Sequence, residues 1–72
     1  MQLHFWLKGD SRTYGISDEE ELIRLMSDNE KYCKDPNLSK RVGYYTFEDE
    51  RGNRFQKRSV IFYEIDKMEL LF

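Results

Sequence analysis

The sequence predicts an α+β fold, with one capped helix packed on one face of a mostly antiparallel β-sheet, in the order strand, helix, strand, strand, strand. Three observations predict it. Gln2 to Leu7 alternates with the period of a half-buried strand. Ser17 to Glu20 has the spacing of a helix start, and the chain from Arg41 onward reads as strands around a turn. The 72 residues leave room for one domain, 1–72, with one small core.

In the first strand Leu3, Phe5 and Leu7 point one way, while Gln2, His4 and Trp6 point the other. Gly9-Asp10-Ser11 breaks the run, and Tyr14-Gly15-Ile16 reads either as a short continuation or as loop. Ser17-Asp18-Glu19-Glu20 then fits a capping box, in which Ser17 accepts from the Glu20 amide and the Glu20 side chain reaches back. Acids in the first turn suit the positive end of the helix dipole. Leu22, Ile23, Leu25 and Met26 supply the apolar stripe. A second box, Ser27-Asp28-Asn29-Glu30, predicts a bend or restart near Ser27 that carries Tyr32 and Cys33 onto the core. Asp35-Pro36-Asn37 stops the helix.

Phe47 to Phe55, FEDERGNRF, is the hairpin signal. Asp49 at the first turn position and Gly52 at the fourth fit a type I turn with a glycine bulge. That register pairs Glu48 with Arg54, Phe47 with Phe55, Tyr45 with Lys57, Tyr44 with Arg58 and Val42 with Val60. A turn near Ile65-Asp66-Lys67 returns Met68 to Phe72 as the last strand.

The register divides the hairpin into two faces. Tyr45, Phe47, Phe55, Ile61 and Tyr63 make the better core. Val42, Tyr44, Thr46, Gln56, Arg58, Val60 and Phe62 fall on the other face, and one short helix covers only one of the two. An apolar patch left in solvent marks an interface. The expected contact surface is therefore Val42, Tyr44, Arg58, Val60 and Phe62, rimmed by Glu50, Arg51 and Asn53 at the tip. A one-residue slip of register would exchange the faces.

These residues point to a small non-enzymatic interaction module that docks on another protein as a regulator or inhibitor, or pairs with a second copy of itself. The acids Asp18 to Glu21 would steer a basic partner. The alternative is nucleic-acid or nucleotide binding by the basic-aromatic hairpin, through Lys40, Arg41, Arg54, Lys57 and Arg58 beside Tyr44, Tyr45, Phe47 and Phe55. A net charge of -2 and the acids at the hairpin tip weigh against it.

No catalytic constellation surrounds His4, the only histidine. Cys33 is the only cysteine, so neither an internal disulfide nor a thiolate zinc site is expected. No metal or cofactor is expected either. The start MQLHFWLKGD lacks the pattern of a signal peptide, and no run approaches a membrane span; both features suit a cytoplasmic protein.

Overall fold

The computed structural model describes all 72 residues as one helix packed against a five-stranded antiparallel sheet, an α+β fold. The elements are β1 (Gln2–Leu7), β2 (Tyr14–Ile16), α1 (Glu19–Tyr32), β3 (Val42–Asp49), β4 (Arg54–Ile61), a 3-10 turn (Phe62–Glu64) and β5 (Ile65–Leu71). Tyr14-Gly15-Ile16 is thus a strand of its own, lodged between β1 and β3. The sheet order is β4-β3-β2-β1-β5. The last strand pairs with β1 rather than with β4, and it begins at Ile65 instead of Met68.

That order requires curvature. Five flat strands span about 19 Å from first to last at ~4.8 Å per step. Ile61 and Ile65, on opposite edge strands, are joined by a three-residue turn, and four residue steps reach only about 14 Å. The sheet is therefore curled, so that the ends of β4 and β5 approach each other. Amides of Phe62, Tyr63 and Lys8 tie the turn down, to the carbonyls of Arg41, Ser39 and Glu64 respectively.

The inner face holds the core. Leu3 and Phe5 from β1, Tyr14 and Ile16 from β2, Tyr45 and Phe47 from β3, and Val60 and Phe62 meet Leu22 and Leu25 of the helix. Phe5, Tyr14 and Phe47 pack with ring centroids 5.2–5.4 Å apart, within the favoured range for aromatic pairs. Ile23 and Met26, expected in the stripe, lie in solvent at 54% and 36% exposure because the buried face runs through Leu22, Leu25 and Tyr32.

The helix begins one residue later than the capping box implies. Asp18 is the N-cap, with extended backbone, and its carboxylate accepts from the Glu21 amide at 2.9 Å. Aspartate serves there as well as serine. No break occurs at Ser27, because the second box is used differently. Asp28 accepts from the Tyr45 hydroxyl at 2.7 Å, and Asn29 donates to the Met68 sulfur. Tyr32 packs against the core as expected, its ring tilted on that of Phe62 at 5.3 Å, whereas Cys33 is the C-cap and is exposed.

Candidate functional site

The hairpin turn forms as the sequence implies. Gly52, with φ of +84°, donates to the Asp49 carbonyl, and the Asp49 carboxylate accepts from the amides of Arg51 and Asn53 and from the Asn53 side chain. These bonds, the first being that from the Asn53 side chain, hold the Asp49 carboxyl below its ordinary range. Glu48 faces Arg54, in a salt bridge of 3.2 Å, and Phe47 faces Phe55.

Beyond Phe55 the register changes. Gln56 and Lys57 together oppose Thr46, so β4 carries a bulge. Lys57 takes a left-handed φ of +49°, and its amide donates to the Thr46 hydroxyl. Tyr45 therefore pairs with Arg58 instead of Lys57, Tyr44 with Ser59 instead of Arg58, and Val42 with Ile61 instead of Val60. The extra residue turns half of the expected surface inward. Val60 and Phe62 are core residues at 2% exposure, and neither is available as an anchor. Arg58 is half-buried, its guanidinium 4.7 Å from the centre of Phe55 and within 6 Å of the Tyr14 and Phe47 rings. It closes the aromatic cluster.

Val42 and Tyr44 stay outside, 43% and 60% exposed. The bulge gives them a new neighbour, since Ile61 now lies opposite Val42 and shares its face. Alternation places Thr46 and Glu48 in line with Tyr44, and His4 and Trp6 on the same outer face of β1. Trp6 donates from its indole to Thr13 at 2.9 Å, and Lys67 lies 4.9 Å over its ring. Trp6 and Ile61 are the outer-face residues missing from the expected surface. The outward parity of Trp6 is legible in the β1 alternation, but Ile61 depends on the bulge.

A cleft of about 340 Å³ adjoins this face where β2 leaves β3 for the helix; its lining includes Ser17, Asp18, Glu20, Glu21, Thr46 and Glu48. Beyond Glu48, β3 has no pairing with β2, so the backbone there lacks a strand partner. Two helix side chains take that place. Glu21 accepts from the Thr46 amide at 2.9 Å, Arg24 donates to the Tyr44 carbonyl at 2.7 Å, and the two form a salt bridge.

The tip residues are unequal. The Glu50 carboxylate accepts from the Thr13 amide at 2.7 Å, Asn53 is held by Asp49, and of the three only Arg51 leaves its side chain unpaired and exposed. Behind the tip, Asp10 accepts from the Tyr14 hydroxyl and from the Arg12 amide and guanidinium. These bonds, led by the tyrosine, lower its pKa to about 2.

The basic residues of the alternative reading are dispersed. Lys40 and Arg41 precede β3 at the far end of the hairpin, and Arg41 covers the Tyr32 ring. Arg54 is paired with Glu48, Arg58 is packed on aromatics, and Lys57 sits on the bulge. His4 lies opposite Glu69 in the β1–β5 register and edge-on to Trp6 at 6.2 Å. No helix is long and apolar enough to cross a membrane. A scan of family models and searches of curated proteins and of solved structures find no match to the chain.

Proposed function

We propose that this chain is a small non-enzymatic module that regulates or inhibits a partner protein by docking through the outer face of its curled sheet. The observation that carries this reading is the exposed apolar column of Val42 and Tyr44, widened by Ile61 on the paired strand. Tyrosine beside aliphatic residues is typical of the desolvated centre of an interface. The Glu48–Arg54 pair and the acidic cleft at the helix start form a polar rim that suits a partner with basic side chains at its margin. Docking of this kind fits a cytoplasmic protein.

The test is affinity capture of tagged protein from its own cell extract with and without nuclease treatment, with wild type beside Tyr44→Asp and, as a control, Lys31→Glu, a charge change at the exposed last turn of the helix. A stoichiometric partner held by wild type and Lys31→Glu, and lost from a folded Tyr44→Asp, is the expected result. Retention by Tyr44→Asp would overturn the reading, and capture of nucleic acid alone would replace it with the basic-hairpin alternative.

A further inference from the structure

Three strand edges in this sheet end without a neighbouring strand, and they are treated differently. The free part of β3 is capped by Glu21 and Arg24. The outer edge of β4 is kinked by the Lys57 bulge and carries Arg54, Lys57 and Arg58 with no acid, so a symmetric pairing there offers no opposite charges. From Lys67 onward the outer edge of β5 has neither device. No side chain takes up its backbone groups, and residues 67–71 pair regularly with β1 on the inner side alone.

We infer that the β5 edge is a self-association surface, where a second copy of this chain adds its own β5 antiparallel about a twofold axis at Met68. The charges select that register. A twofold perpendicular to the sheet keeps each face on its own side, so directly opposed residues must share parity. Centred on Lys67, the pairing opposes two lysines; centred on Glu69, it opposes two glutamates. Centred on Met68, it sets Lys67 against Glu69 of the second copy, twice by symmetry, with Met68 against Met68 between them. That central register also aligns the greatest length of the strand. The Asp66 bulge, which breaks the pairing with β1 between Trp6 and Leu7, marks the limit of the regular contact.

The helix supports the same occupant. Glu21, Arg24 and Asp28 face β3, and helical spacing puts Ile23 and Met26 on the opposite flank. Asn29 reaches the Met68 sulfur, so β5 passes beneath the helix on the side away from β3. The exposed Ile23 and Met26 and the half-buried Met68 and Leu70 thus form an apolar strip beside the free edge. Two copies joined at Met68 bring two such strips to one groove. This surface is separate from the Val42–Tyr44 column.

Sedimentation equilibrium of the intact chain up to millimolar concentration tests the inference, with folding of each variant checked by circular dichroism. Wild type is expected to move from 8.8 kDa toward twice that mass with concentration. Lys67→Glu or Glu69→Lys alone should weaken association by about tenfold or more, since each turns two attractive contacts into repulsive ones. The double variant, which restores opposite charges, should recover it. A wild type that stays monomeric, single variants that associate unchanged, or a double variant that fails to recover each overturn the proposal. Loss of the dimer in Tyr44→Asp would also overturn it, by moving self-association to the outer face; loss of partner capture with the dimer intact leaves it standing.

Discussion

Gly43 shows how little slack the small core allows. The Tyr45 ring lies across its α-carbon, and a β-carbon built there would meet Tyr45 Cε2 and Oη at 2.5 Å. Tyr45 has no freedom to yield, because it is fully buried and its hydroxyl is fixed on Asp28. Gly43→Ala is therefore expected to cost roughly 1–3 kcal/mol through overpacking, read as a lower urea midpoint at unchanged slope. A neutral result would mean that the ring moves freely. Gly52 answers to a different constraint: a β-carbon built there would meet nothing within 4 Å, and its positive φ is what the turn requires.

At the level of elements, the decisive feature is the bulge in β4. Lys57 occupies the left-handed region without being glycine, at a cost of about 1–2 kcal/mol. Lys57→Gly should relieve this and raise stability by a few tenths to ~1 kcal/mol after the added chain entropy; thermal unfolding with both variants in one buffer decides it. A fall in stability would show that the lysine side chain makes contacts worth more than the strain. This position also separates what the sequence reveals from what it hides. The Asp49–Gly52 turn, the Glu48–Arg54 and Phe47–Phe55 pairs, the β1 alternation and the helix start rest on local chemistry, and they are readable to within a residue or two. The bulge has no glycine or asparagine to announce it, and everything downstream changes face. Val60 and Phe62 consequently belong to the core, while Val42 and Tyr44, upstream of the slip on β3, keep the outward orientation read from the sequence. The placement of β5 beside β1 was illegible for another reason, since it depends on curvature of the whole sheet.

Over the whole molecule, ionisation at its two ends sets the pH range of stability. Asp10 titrates at about 2 when folded, against 3.8 unfolded. A depressed carboxylate pKa contributes stability that is present above 3.8 and lost as pH falls through about 2. Asp49 acts with the same sign. Tyr45 and Tyr14 are shifted upward, first by burial and then by the hydrogen bonds to Asp28 and Asp10, so their contribution is complete below 10.0 and disappears as pH rises through their folded values. Melting temperature against pH should show a plateau with two falling limbs. Asp10→Asn should flatten the acid limb and also soften the alkaline one, since it removes the carboxylate that helps to raise Tyr14, whereas Tyr45→Phe should flatten the alkaline limb alone. An acid limb unchanged in Asp10→Asn would assign acid unfolding to other groups.

The Glu21 and Arg24 bonds to β3 carry one more implication, for the position of the helix. Only Leu22 and Leu25 of α1 are fully buried, and two smooth side chains alone would tolerate a helix that slides along the sheet. A slide of one turn, about 5.4 Å, would preserve much of that apolar contact. It would also strand the Thr46 amide and the Tyr44 carbonyl, and pull Asp28 away from the Tyr45 hydroxyl. Three polar contacts spaced along one helical face thus act as a detent, indexing the helix to a single notch on the strand. A protein with so few buried residues obtains uniqueness from polar alignment and leaves cohesion to its aromatic core.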